Sequence, residues 1–192
     1  MLAKALARAK ALERAFVLSH LRATSPKTHE ERKAMPTIEK SIDVRVPVSV
    51  AYGQWTQFEE FPRFMEGIED VVQIDDTHIQ WVAEVGGERR EWKAEIVEQE
   101  PDRVIAWRST SGTPNSGRVE FRPIDEGTRI SVQMEHESEN LKERIGSFFG
   151  ADEGQVEEDL ERFRELVENR ETPTGEWRGR VDAGRVIEDN AR

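Results

Sequence analysis

The chain has 192 residues, no cysteine and a formal net charge of −11 at pH 7. The missing thiols exclude disulfides, thiolate catalysis and cysteine-ligated metal sites. An acidic surface repels phosphate backbones, so we expect no nucleic acid partner. No apolar run approaches the roughly 20 residues of a membrane-spanning helix. We therefore expect a soluble, cytoplasmic protein.

Residues 1–34 differ from the rest of the chain in charge. They carry eight Lys or Arg against three Glu, whereas residues 35–192 carry 20 basic and 36 acidic residues. Residues 1–22 are Ala-rich and predict a helix with a ragged apolar face. Two interpretations stay open: a basic helix that targets the protein or makes peripheral membrane contact, and an added or mis-started leader that precedes Met35. We expect this leader and its linker to stand outside the folded domain, which we place at residues 35–170.

A period-two pattern begins the domain. Apolar and polar residues alternate over residues 37–46, which predicts a half-buried strand that ends at Pro47. The apolar spacing over residues 48–58 predicts a short helix. Pro62 suits the first turn of a second short helix.

Six further segments between Gly67 and His136 alternate apolar and polar residues. Turn signals separate them, among them the pair Gly86 and Gly87 and the tripeptide PDR at residues 101–103. With the first strand they predict seven strands. Because the connections are mostly short, we expect one meandering antiparallel sheet with an apolar face and a charged face.

The last long element is an amphipathic helix. Val156, Leu160, Phe163 and Val167 recur at spacings of four, three and four residues, and the other positions are mostly charged. The apolar stripe needs a partner, and the apolar face of the sheet is the large surface available for it. Residues 171–192 are polar and are expected to form a loose tail, from which Trp177 docks back onto the domain.

Four segments of the domain are recognisable: SIDVRVPVSVAYGQWTQFEEFPRFMEGIEDV, ERREWKAEI, IAWRSTSG and TGEWRGRV. In them the sequence resembles the START-like (SRPBCC) superfamily, and within it the polyketide cyclase/dehydrase and coenzyme Q-binding START-domain group. The resemblance implies an α+β helix-grip fold. In that fold two short helices follow the first strand, and a seven-stranded curved antiparallel sheet wraps around a long C-terminal helix. The resemblance also implies an apolar small-molecule ligand between sheet and helix.

Two groups of mostly aromatic residues are the candidates for such a site. The entrance or lid group is Trp55, Phe58, Phe61, Phe64 and Met65. The wall group, on the inward register of the strands and on the helix, is Trp81, Trp92, Trp107, Phe121, Met134 and Phe163. A ligand pocket is typically apolar and aromatic with few polar groups. The alternative is that the same side chains fill a solid core and the lid merely completes it.

Polar candidates are few. His136 shares the inward register with Met134 and is the one catalytic candidate, as an acid/base or a hydrogen-bond donor. The alternative is a half-exposed strand-end histidine without a chemical task. Arg90 and Arg108 are candidate anchors for a ligand carboxylate, but both lie on the register opposite to the neighbouring Trp residues. The sequence contains no nucleotide-binding, hydrolase or zinc motif, so we predict neither a cofactor nor a metal.

Three functions follow from these features. The preferred one is a non-enzymatic carrier or sensor for a hydrophobic small molecule that is lipid-, quinone- or polyketide-like. The second is an enzyme of the cyclase/dehydrase kind that uses His136 or an arginine. The third is an interaction module for a macromolecular partner. The sequence assigns neither the ligand nor the oligomeric state.

Overall fold

The computed structural model describes residues 37–85, 87–112, 114–136, 153–170 and 172–188, without the side chains of Val85, His136, Glu153 and Glu188. The predicted leader over residues 1–34 lies outside these residues. In chain order the elements are β1 (Thr37–Val44), α1 (Val48–Trp55), a 3₁₀ helix (Phe58–Arg63), β2 (Ile68–Gln73), β3 (His78–Val85), β4 (Glu88–Glu100), β5 (Val104–Ser111), β6 (Asn115–Ile124), β7 (Gly127–His136), α2 (Glu153–Glu168), β8 (Arg180–Asp182) and β9 (Arg185–Glu188).

Neighbouring strands are antiparallel, in the order β1-β7-β6-β5-β4-β3-β2. Buried residues pair across strands on the inner face, as in Trp81 opposite Trp92 and Ile42 opposite Ile130. Register shifts interrupt the β2–β3 and β4–β5 pairs, and such bulges bend a sheet. The curved sheet holds α2 on its inner face, so the predicted helix-grip fold is confirmed.

The strand count corrects the prediction of seven. β8 and β9 come from the segment that was expected to be a loose tail, so that expectation is wrong for residues 172–188. β3 pairs with β4 from Glu88 to Glu95. β8 pairs with the part of β4 that β3 leaves unpaired, at Glu98 and Gln99. An unpaired strand edge favours such an addition. Strands of three and four residues are too short for alternation to indicate them.

The segment before β8 is fastened to α1 by buried side chains. The Gln54 amide oxygen accepts hydrogen bonds from Arg170 Nη1 at 3.1 Å and from the Thr174 backbone N–H at 3.3 Å. The Thr56 hydroxyl accepts one from the Trp177 backbone N–H at 3.1 Å. Trp177 is half-buried and packs against the core, in agreement with its predicted docking.

The second short helix differs from its prediction in one respect. It is a 3₁₀ helix in which Pro62 is the fifth of six residues, not part of the first turn. Proline lacks an N–H and clashes with the preceding turn, so a helix that reaches it ends soon afterwards. Glu59 and Glu60 do occupy the first turn, near the positive end of the helix.

Within the part of the chain that the structure describes, no helix is long and apolar enough to cross a bilayer. The longest helix is α2, whose apolar stripe is buried at Val156, Leu160, Phe163 and Val167. The apolar stripe of α2 is therefore buried, as the helical spacing of its residues predicted.

Glu168, the last residue of α2, anchors this helix to the end of β1. A carboxylate at a helix C-terminus opposes the helix dipole. Here its Oε1 accepts a hydrogen bond from the Arg45 backbone N–H at 2.8 Å, and its Oε2 lies 3.4 Å from the Arg45 guanidinium. These contacts, the backbone hydrogen bond first, lower the pKa of Glu168 below its usual 4.5.

We predict that Glu168→Gln lowers the free energy of unfolding by about 1 kcal/mol near neutral pH, since it removes a charged hydrogen bond. Because the folded pKa is depressed, the contribution is complete above pH 4.5 and disappears as Glu168 becomes protonated below it. Urea unfolding of both proteins across pH measures the difference. Glu165→Gln, an exposed residue of the same helix, is the control. A deficit that persists in acid would contradict this account.

Tyr52 is the single tyrosine of the chain and is fully buried. Its hydroxyl accepts a hydrogen bond from Gln99 Nε2 at 2.9 Å, which joins α1 to β4. Burial raises the pKa of Tyr52 from 10.0 to about 12.

We predict that the phenol ionises near pH 12, or together with alkaline unfolding, rather than near 10. The unfolded chain releases this proton first, so stability falls as the pH rises from 10.0 to about 12, by up to about 1.4 kcal/mol per unit. Ultraviolet absorbance of the phenolate and circular dichroism, followed in one titration, measure both events. Ionisation near pH 10 with an intact fold would show that Tyr52 is accessible.

Candidate functional site

A cavity of about 60 Å³ lies between the sheet, α2 and the segment that follows α1. The described residues that line it are Trp55, Phe58, Phe61, Phe64, Met65, Glu66, Ile68, Ile79, Trp81, Ala94, Ile96, Ile105, Trp107, Val132, Met134, Val156, Asp159 and Leu160. All of these are apolar except Glu66 and Asp159. An apolar lining with a polar end is the usual composition of a small-molecule site.

All five residues of the predicted lid line this cavity. Trp55 ends α1, and Phe58 and Phe61 lie on the 3₁₀ helix. The rings contact one another and the sheet: the Phe61 centroid is 5.7 Å from that of Trp55 and 5.5 Å from that of Trp81. Pro62 breaks the helix within this segment. The aromatic rings of the segment therefore differ in orientation, and together they close one end of the sheet.

The six predicted wall residues divide into two sets. Trp81, Trp107 and Met134 line the cavity. Trp92, Phe121 and Phe163 do not, and each is buried behind a residue that does. The Trp92 ring stacks on Trp81 at 5.8 Å, while Phe121 and Phe163 lie edge-on to Trp55 at 6.0 and 4.8 Å. These three residues pack in the core and do not line the cavity, and their part in ligand binding stays a prediction.

Eight apolar lining residues do not belong to the predicted set: Ile68, Ile79, Ala94, Ile96, Ile105, Val132, Val156 and Leu160. The signal for them is present in the sequence. Ile79 shares the register of Trp81, and Ala94 shares that of Trp92. The prediction of the wall named mostly large aromatic residues. The cavity lies where smaller side chains leave space.

Gly117 sets the position of Trp107. It was not among the residues predicted from the sequence. The two residues are cross-strand partners on β6 and β5. A Cβ atom at Gly117 would lie 2.3 Å from Cζ2 of the Trp107 ring, far inside contact distance. The indole therefore lies flat over the glycine, and any side chain at residue 117 would displace this wall of the cavity.

The polar end of the cavity is built around Asp159, which is 6% exposed. Its Oδ1 accepts hydrogen bonds from the Glu66 backbone N–H at 3.1 Å, from Gln155 Nε2 at 2.9 Å and from Arg162 Nη2. Burial raises the pKa of Asp159, and these bonds partly oppose the rise. Asp159 lies three residues after Val156, so the helical period placed it on the apolar stripe, but its charge led us to assign it to the polar face.

Arg162 ties α2 to the lid. Its Nε donates a hydrogen bond to the Phe64 carbonyl at 2.8 Å. Its guanidinium also lies 3.5 Å from Glu66 and 3.7 Å from Glu158, in addition to its contact with Asp159. One cation therefore faces three carboxylates at this end of the cavity.

The remaining polar candidates lie elsewhere. His136 is the last residue of β7, and its side chain is outside the described part of the structure. Arg108 is exposed and pairs with Glu95 at 2.8 Å, and Arg90 lies 3.5 Å from Glu88. Both arginines are surface groups, as the register indicated. Among the described residues no group of three His, Asp or Glu is arranged to hold a metal.

The family model for polyketide cyclase / dehydrase and lipid transport proteins matches residues 44–161. A protein of Streptomyces lincolnensis is similar: the uncharacterized 17.2 kDa protein in the melC2-rnhH intergenic region is 43% identical over 149 residues. The match covers 77% of this chain and 99% of that protein.

Solved structures share the fold. DR_A0006 from Deinococcus radiodurans is 27% identical, with a TM-score of 0.58 and coverage of 69% of this chain and 97% of that one. The Zhui aromatase/cyclase from Streptomyces sp. R1128 is 16% identical, with a TM-score of 0.55 and coverage of 71% and 96%. At that identity the likeness shows the fold alone. The family match and the 43% identical relative show that the chain belongs to the polyketide cyclase/dehydrase and lipid transport family.

Proposed function

We propose that the chain binds an apolar small molecule between the sheet and α2 and acts as its carrier or sensor. The observation that carries the proposal is the apolar cavity, whose lining comes from the sheet, from α2 and from the lid. The family adds support, because its description includes lipid transport. A lipid-, quinone- or polyketide-like molecule is the finer assignment that we favour.

The small volume of the cavity limits what enters without a conformational change. Sites for drug-sized ligands measure roughly 300–1,000 Å³, against about 60 Å³ here. A ligand of that size therefore displaces part of the lid. Met65 is half-buried and its unbranched side chain adapts readily, whereas Trp55 is buried against several rings. We infer that the ligand enters past Met65 and that Trp55 stays in place.

The free energies of ligand burial and of the ring contacts in the lid permit such an opening. A ligand that buries about 200 Å² of apolar surface gains roughly 5 kcal/mol at about 25 cal/mol per Å². An aromatic pair contributes roughly 0.5–1.5 kcal/mol beyond its buried area. Ligand binding thus offsets the loss of several ring contacts in the lid.

An enzyme of the cyclase/dehydrase kind is the second candidate. The observation in its favour is the buried Asp159 carboxyl at the cavity, whose raised pKa suits proton transfer. Three hydrogen-bond donors already hold its Oδ1, however, which favours the ionised carboxylate and a binding role. The interaction-module hypothesis gains no support from the described residues.

We predict that Ala94→Val weakens ligand binding without unfolding the protein. The added methyl groups occupy a cavity of about 60 Å³, so the cost in stability stays within about 1 kcal/mol. Affinity for the fluorescent probe N-phenyl-1-naphthylamine falls at least about tenfold, or 1.4 kcal/mol. Ala106→Val is the matched control, because Ala106 is buried on β5 but does not line the cavity.

Two outcomes contradict the proposal. One is a wild-type protein that binds no probe, and the other is an Ala94→Val variant that binds it with unchanged affinity. Native mass spectrometry of the protein from its own host, followed by solvent extraction, identifies any molecule that occupies the cavity in the cell.

A further inference from the structure

We propose that Asp159 receives the polar end of the ligand, so that the cavity selects apolar molecules that carry a hydroxyl or amine and rejects those that carry a carboxylate. This inference rests on the proposed function. It adds the chemical class of the ligand and the residue that recognises it.

The first support is the geometry of Asp159. The side chain lines the cavity and is 6% exposed, so it has little access to water. All three of its hydrogen bonds end on Oδ1. Among the described residues none donates to Oδ2 in these contacts. Oδ2 therefore keeps lone pairs that can accept a hydrogen bond, and a ligand hydroxyl or amine supplies a donor.

The second support is the charge at this end of the cavity. Glu66, the other polar lining residue, is also a carboxylate. The nearby guanidinium of Arg162 lies against Asp159, Glu66 and Glu158 and donates to the Phe64 carbonyl. Its Nε and Nη2 already donate hydrogen bonds to the Phe64 carbonyl and to Asp159, and with three carboxylates around one guanidinium the cluster keeps an excess of negative charge. A ligand carboxylate meets repulsion here, whereas an ammonium group meets attraction.

The third support is the rest of the lining. Every other described residue around the cavity is apolar, and apart from the indole N–H groups of Trp55, Trp81 and Trp107 these side chains offer only hydrophobic contact. The charged groups of the lining therefore lie at one end, and this end orients the ligand. Its apolar body lies among Trp81, Ile96 and Trp107, and its polar end points toward α2.

The test uses four ligands of one shape: benzyl alcohol, benzylamine, benzoate and toluene. Their affinities are measured by competition against N-phenyl-1-naphthylamine, corrected for the affinity of the probe for each variant. For the wild type we expect benzyl alcohol and benzylamine to bind at least about tenfold tighter than toluene, and benzoate to bind weakest.

Asp159→Asn is the first variant, because asparagine keeps the shape and removes the charge. We expect it to reduce the preference of benzylamine over benzoate at least about tenfold. Glu165→Gln is the control: this residue of α2 is exposed, lies outside the Arg162 cluster and does not line the cavity, so it leaves the preference unchanged. Glu66→Gln is a second variant that keeps the Asp159 side chain, and we expect a smaller reduction in the same direction.

The outcomes separate the two proposals. Equal binding of all four ligands to the wild type overturns the selectivity and leaves the proposed function standing. An Asp159→Asn variant that weakens all four ligands equally, with an unchanged preference, overturns the recognition role and makes Asp159 a structural anchor. If the wild type binds the probe but none of the four ligands, the selectivity fails and the proposed function stands. If it binds neither the probe nor any ligand, both proposals fail.

Discussion

The packing of one indole holds the layers of this domain together. Trp55 ends α1, and its ring contacts Phe61 of the 3₁₀ helix, Phe121 of β6 and Phe163 of α2 at 5.7, 6.0 and 4.8 Å. Each such pair contributes roughly 0.5–1.5 kcal/mol beyond its buried area. The lid, the sheet and the long helix thus meet at one side chain. The cavity lies beside this cluster, where smaller residues leave space that the rings do not fill.

Two parts of α2 have different tasks. At its C-terminal end Glu168 fastens the helix to the backbone of Arg45, and the contact is structural. In its middle Asp159 and Arg162 hold the loop at Phe64 and Glu66, and Asp159 also lines the polar end of the cavity. Asp159 and Glu66 thus belong both to the contacts that hold this loop and to the lining of the proposed ligand site. A change in this cluster affects both the position of the lid and the chemistry of the site.

The sequence predicted much of this domain because its main signals are local. Alternation predicted the long strands, the helical period predicted the buried stripe of α2, and residue type predicted the lid from Trp55 to Met65. Three elements of the site and fold were missed for a common reason. Asp159 was assigned to the polar face, Gly117 was passed over, and β8 was expected to be loose tail. Each is decided by a partner far away in the chain: Glu66, Trp107 and Gln99.

By itself the sequence determined the order of the elements, the faces that become buried and the aromatic character of the lid, since periodicity and side-chain size act over a few residues. Tertiary structure alone decided which buried side chains border the cavity and which only fill the core, as for Trp81 and Trp92. It also decided that a carboxylate is kept inside. Burial of Asp159 depends on donors from the lid loop and α2, and these come together only when the sheet has closed around the helix.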